Sequence, residues 1–176
     1  LFFCKSYSQK HETIKLNKVP LKTHFDPMDY NAGIQNWSFD QDSNGILYIA
    51  NNDGILEFDG KEWNQLSVPL STKIRAVKVD HQNRVFVGGQ NQIGYFSNSV
   101  DGMTYTSLNN KLKNSNKTIS EIWKIIEIDE KIIFNTGNTS LVYENEELSE
   151  LEVPGYILNA FKNNNILLNY CCLMKN

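Results

Sequence analysis

Apolar residues along this chain come in short, often alternating runs, and clusters of Asn, Asp and Gly separate the runs. Asn36 to Gly60 reads NWSFDQDSNGILYIANNDGILEFDG, and Ala76 to Asn98 reads AVKVDHQNRVFVGGQNQIGYFSN. The second stretch lies on the first without a gap. Asp42 falls on Asp80, Tyr48 on Phe86, Ile55 on Ile93 and Phe58 on Phe96, always 38 residues apart (80 − 42 = 86 − 48 = 93 − 55 = 96 − 58 = 38). Short alternating runs bounded by such turn residues predict strands, because side chains alternate faces along a strand and Gly accepts the positive φ of tight hairpins.

In the first unit the strands are expected at Gln35–Asp40, Ile46–Ala50, Ile55–Phe58 and Trp63–Val68. In the second they are expected at Ile74–Val79, Arg84–Gly88, Ile93–Phe96 and Met103–Ser107. A more diverged third unit predicts Ile122–Ile128, Lys131–Thr136, Leu141–Tyr143 and Glu147–Leu151. A fourth starts at Tyr156 and shows two strands. Units of four antiparallel strands recurring at ~40 residues fit β-propeller blades better than a sandwich, whose strands do not recur as modules. The fold expected is therefore all-β, an incomplete array of about three and a half blades. The blades fall at residues 35–68, 74–108, 121–153 and 156–170, within a partial propeller over 30–170. A lead segment over 9–29 precedes the array and an atypical tail, 171–176, follows it.

Composition narrows the function. The 176 residues are 40% hydrophobic and 11% aromatic, enough for one packed domain and too apolar for a disordered chain. Lys plus Arg total 17 against 20 Asp plus Glu, a net charge of −3, with no basic stripe to follow a phosphate backbone. Contact with nucleic acid is not expected. Cys4, Cys171 and Cys172 form no CxxC pair, and His11, His24 and His81 are scattered, so neither a metal site nor a disulfide framework is expected. Leu1 to Ser8 has an apolar patch followed by small residues at Ser6 and Ser8, the pattern of a signal-peptide remnant. The alternative is a frayed apolar end. No apolar run approaches the ~18–20 residues of a membrane-spanning helix.

Several motifs touch on chemistry. Asp40 to Gly45, DQDSNG, matches the opening of a calcium loop, but the twelfth position is Asn51 instead of a bidentate Glu. A plain hairpin turn is the preferred reading. Ser99 to Tyr105, SVDGMTY, resembles the Asp box of sialidase-type propellers, one residue short, and is expected to be a structural turn. Glu146-Glu147 has no neighbouring His or Arg in sequence, although folding can assemble a carboxylate pair that sequence does not show. Trp37, Trp63 and Trp123 suggest a sugar-stacking set, but packing between blades is the preferred reading. The sequons at Asn36, Asn116 and Asn138 are of the number an Asn-rich chain gives by chance.

Tyr30 to Trp63 closely resembles the first blade of the two-component regulator propeller family. Its two hallmarks stand here as Asp42-Ser43-Asn44-Gly45-Ile46-Leu47-Tyr48-Ile49 and Asn52-Asp53-Gly54-Ile55-Leu56-Glu57-Phe58-Asp59-Gly60. The lead Ala32 to Trp37, AGIQNW, is similar to Bacteroidetes sensors, and a looser likeness extends to Tyr143. The resemblance implies a non-catalytic, periplasmic ligand-sensing propeller. In that family a triple-tyrosine domain, a membrane helix and a LuxR-type or histidine kinase output follow. The sequence given shows none of these, so the expectation is an N-terminal part that does not signal alone and reaches a membrane only through them. The family carries no catalytic, metal or cofactor residues onto this sequence, and the ligand, a small molecule or glycan, is not fixed by a motif. Self-association through an open blade edge is also expected. The alternatives are part of a propeller hydrolase or lyase acting on polysaccharide, and a stand-alone protein-interaction propeller.

Overall fold

A computed structural model describes residues 22–69, 73–112, 119–152, 156–163 and 166–172, with the last two segments and residue 152 described by backbone alone. The signal-peptide remnant and the sequon at Asn116 lie outside the described residues. Three sheets of four antiparallel strands follow one another, each with its strands in chain order. The first contains β1 (Asn36–Gln41), β2 (Leu47–Asn51), β3 (Gly54–Phe58) and β4 (Trp63–Leu66). The second contains β5 (Ile74–Val79), β6 (Val85–Gly89), β7 (Gln92–Ser99) and β8 (Gly102–Ser107). The third contains β9 (Lys124–Ile128), β10 (Lys131–Asn135), β11 (Thr139–Glu144) and β12 (Glu147–Glu152). β13 (Tyr156–Asn163) and β14 (Ile166–Cys172) pair as a fourth, two-stranded unit. The first strands β1, β5, β9 and β13 lie side by side, so the sheets fan out from that side as propeller blades do.

The 38-residue period is structural. Tyr48 pairs with Asp40 across β1–β2, and Phe86 pairs with Lys78 across β5–β6, the same register one repeat on. Both hairpin turns are built by the aspartate that precedes them. Asp42 Oδ1 accepts from the backbone N–H of Asn44 at 2.9 Å and of Ile46 at 2.8 Å. Asp80 Oδ1 accepts from Gln82 N at 3.0 Å and Arg84 N at 2.7 Å. A carboxylate that takes two backbone donors fixes the turn before the strands pair.

Hydropathy missed some strand ends. β7 runs past the expected Ile93–Phe96, and β8 starts one residue before the expected Met103, because Ser97, Asn98 and Ser99 go on pairing with Thr104, Met103 and Gly102. There the β7 residues Ser97, Asn98 and Ser99 are polar and carry no apolar signal. β9 starts at Lys124, two residues later than expected, because the Ile122 N–H goes to Gly89 O of the neighbouring sheet. β14 continues through Cys171 and Cys172, two residues past the point where the sequence pattern closes the last unit.

Each pair of sheets encloses its own core. Tyr48, Ala50 and Ile55 of blade one meet Val77, Val79, Val85, Val87 and Phe96 of blade two. Phe86, Ile93 and Ala76 of blade two meet Ile125, Ile132, Phe134, Leu141 and Tyr143 of blade three. Inner strands β1 and β5 are joined by side chains instead of a backbone ladder. Ser38 Oγ donates to Arg75 O at 3.1 Å and accepts from Val77 N at 3.0 Å. Asp40 Oδ2 accepts from Lys78 Nζ at 2.6 Å and Val79 N at 2.8 Å. These bonds satisfy donors that an edge strand would otherwise leave open.

The lead segment belongs to blade one. A one-turn helix, α1 (Pro27–Tyr30), begins after Asp26 and ends at Asn31, whose φ is 48°. Tyr30 and Phe25 lie 5.5 and 5.3 Å from the Trp63 ring, which stacks on Phe58 at 4.4 Å. Trp63 therefore packs within its own blade against the lead segment and not between blades. This corrects the sequence expectation: the aromatic partners come from a stretch whose hydropathy marks no element.

Candidate functional site

The inner strands carry the most distinctive arrangement. The β1–β2 register skips Trp37 between Asn36 and Ser38, and the β5–β6 register skips Arg75 between Ile74 and Ala76. These are equivalent positions, 38 residues apart (75 − 37 = 38). A bulge leaves one residue unpaired and re-aims its side chain. In blade three Trp123 stands just before β9, with its N–H bonded to Asn135 O at 2.9 Å. The three side chains come together. The Arg75 guanidinium carbon lies 4.0 Å from the Trp37 ring centroid and 4.8 Å from that of Trp123. Arg75 Nε donates to Glu121 Oε1, and Trp37 Nε1 donates to Asn52 Oδ1 at 2.9 Å. Two indoles on one guanidinium give a rigid assembly that joins three blades.

Trp37 and Trp123 nonetheless stay 36% and 49% exposed, and Phe39 is 75% exposed. The expectation that Trp37 and Trp123 are packing residues therefore holds only in part. They bridge blades through Arg75 and still offer ring surface to solvent. Trp37, Phe39 and Trp123, with Asp40 and Lys78, border a cavity of about 410 Å³ along the inner strands. Arg75, which completes the stack, was not singled out by sequence reasoning. Its position 38 residues after a Trp was the available signal.

The other motifs resolve into turns. Asp42 is occupied by its hairpin, and Asp40 by Lys78 and Val79. Among the described residues no group of three or more His, Cys, Asp or Glu is placed to hold a metal ion. Asp42→Ala should lower stability by about 1–3 kcal/mol, the cost of leaving backbone donors unpaired. The loss should be equal with and without millimolar calcium. A calcium-dependent rise in Tm that the substitution abolishes would restore the metal reading. In the SVDGMTY motif, Ser99 Oγ donates to Gly102 O at 2.7 Å and Gly102 has φ 103°, a hairpin turn. Glu146 sits at the β11–β12 turn with φ 64°, bound through Oε2 to Lys111 Nζ at 2.9 Å, which holds its carboxyl below the usual range.

No family model matches the chain, and no curated protein matches it. Among solved structures, the fold is similar to the extracellular domain of BT4673 from B. thetaiotaomicron, assigned to a one component system. That match has TM-score 0.59 and 16% identity, over 76% of this chain and 19% of that one. The fold is also similar to virginiamycin B lyase from Staphylococcus aureus, with TM-score 0.56 and 15% identity over 80% of this chain and 56% of that one. A streptogramin B lyase matches with TM-score 0.56 and 17% identity, over 78% of this chain and 54% of that one. The chain thus spans about a fifth of the BT4673 extracellular domain and just over half of each lyase.

Proposed function

We propose that this chain is the N-terminal part of an exported, periplasmic ligand-sensing propeller of a signal-transduction regulator, and that it binds without catalysis. The observation that carries the reading is the Trp37–Arg75–Trp123 stack beside the inner-strand cavity. Its charged groups are committed to fixing the wall, Arg75 to Glu121 and Asp40 to Lys78, while part of each indole stays exposed beside the guanidinium. Such a surface suits the apolar face of a small ring-bearing solute or glycan, held by stacking. The resemblance of Tyr30 to Trp63 to two-component regulator propellers, and the fold likeness to BT4673, support the sensor role. Binding would act by shifting an equilibrium between conformations that the rest of the protein reads.

The lyase likeness favours a second reading, a propeller lyase or hydrolase, and one experiment separates the two. The full chain is titrated with a panel of soluble oligosaccharides while tryptophan emission is followed, and each sugar is recovered and analysed. The sensor reading expects a saturable change, lost in Trp37→Ala and in Trp123→Ala, with the sugar unaltered. Recovery of cleaved sugar would replace it with the enzyme reading. No saturable change with any member of the panel would remove glycans as the ligand class.

A further inference from the structure

We propose that the cleft between blades two and three is a second binding site, one that takes a small zwitterion of the α-amino acid type. The cleft lies apart from the inner-strand cavity, where the β5–β6, β9–β10 and β11–β12 turns converge, and holds about 290 Å³. That volume is near the lower end of the ~300–1,000 Å³ of small-molecule pockets, a size for a small solute.

Its two walls carry opposite charge. On the blade-two side, Arg84 Nε donates to Asp80 Oδ2 at 2.7 Å, and the Asp80 side chain is 1% exposed. The guanidinium carbon lies 5.0 Å from the Phe86 ring and 5.4 Å from the Tyr95 ring. Arg84 is therefore held by its ε edge and both ring faces, and its fork matches a carboxylate. His81 stands beside it, with Nδ1 at 2.6 Å from Glu127 Oε1, a pairing that raises its pKa and favours the imidazolium.

On the blade-three side are Asp129, Glu130 and Glu146. All three sit in two-residue turns at φ 48°, 65° and 64°, conformations that fix where the hairpin tips carry their carboxylates. Tyr143 also lines the cleft. It is 3% exposed, and burial, with the nearby Glu146 carboxylate, pushes its pKa up to about 12, so the hydroxyl keeps its proton. A singly charged solute meets one favourable wall and one repulsive wall. A zwitterion lays its carboxylate on Arg84 and His81 and its ammonium on Asp129 and Glu130.

Calorimetric titration of the full chain tests the proposal with L-alanine, with lactate (no ammonium) and with ethylamine (no carboxylate). L-Alanine should bind saturably, and the two half-molecules at least about tenfold more weakly, the factor a lost charged contact gives. Arg84→Met should abolish L-alanine binding. Because that change also frees Asp80, the double variant Asp129→Asn, Glu130→Gln at the exposed turn is the companion. It should keep the fold, by its circular dichroism, and weaken L-alanine about tenfold. Lactate or ethylamine equal to L-alanine, no saturable binding of L-alanine, or an unaffected double variant would each overturn the proposal. None of these outcomes bears on the tryptophan emission test of the inner-strand cavity.

Discussion

Phe86→Ala should destabilise the chain by about 3–5 kcal/mol, the range for truncating a buried aromatic ring. Phe86 is 0% exposed and lies against the rings of Tyr95, Phe134 and Tyr143 at 5.1, 6.1 and 5.8 Å. It therefore belongs to the core that joins blade two to blade three, and its loss opens a cavity between two rigid sheets that cannot collapse into it. At about 2–4 °C per kcal/mol, Tm should fall by roughly 10 °C. Phe86→Tyr should be harmful as well, by about 1–3 kcal/mol, for a different reason. In blade one the equivalent Tyr48 is tolerated because its hydroxyl donates to Glu57 Oε1 at 3.3 Å. The residue 38 positions after Glu57 is Tyr95, which offers no carboxylate (57 + 38 = 95). A loss under about 1 kcal/mol in Phe86→Ala would mean that the two sheets are not joined by this core.

The chain expressed alone should self-associate through the open face of blade one. Val77, Val85, Val87 and Phe96 are 6%, 0%, 0% and 3% exposed because blade one covers them. Their equivalents, 38 residues earlier, are Phe39, Leu47, Ile49 and Phe58, and Phe39 is 75% exposed. Phe39, Leu47 and Phe58 border an open cavity of about 410 Å³. A face with the chemistry of a blade interface that no blade among the described residues covers is the kind of exposed apolar surface that marks association. Light scattering should give a mass above 20.2 kDa that rises with concentration. Phe39→Glu should return it to the monomer with little change in Tm, since the side chain is already in solvent. A monodisperse monomer for the unsubstituted chain would sink the prediction.

The repeat and its strands were legible because neighbouring blades bury apolar side chains against one another, so apolar runs and the aspartate of the first hairpin turn recur at a constant offset. Asp42 and Asp80 were aligned from sequence, and the structure shows why: both supply the same carboxylate to the same turn. The site was less legible. A bulge is defined by the strand opposite, so nothing local to Trp37 or Arg75 announces that they leave the pairing register. Trp63 was misplaced for a related reason. Its partners Phe25 and Tyr30 lie in a lead segment without periodicity, and tertiary contact alone makes that segment part of the blade.

The skipped register of the inner strands also bears on how such a chain can change length over evolutionary time. Trp37 and Arg75 are 38 residues apart, but Arg75 and Trp123 are 48 apart (123 − 75 = 48), and the stack still forms. The additional residues lie in the connection between the end of β8 at Ser107 and the start of β9 at Lys124. Doubling a flexible connection costs only about 0.6 kcal/mol, no more than one cation–π contact of about 0.5–2 kcal/mol, and the Arg75 guanidinium makes two. The bulge thus acts as a phase mark for the lineage. Insertions and deletions can accumulate in the connections between blades while the residues at the mark keep their alignment. A comparison of relatives anchored on those marks would find homology that a fixed-period search loses after the second repeat.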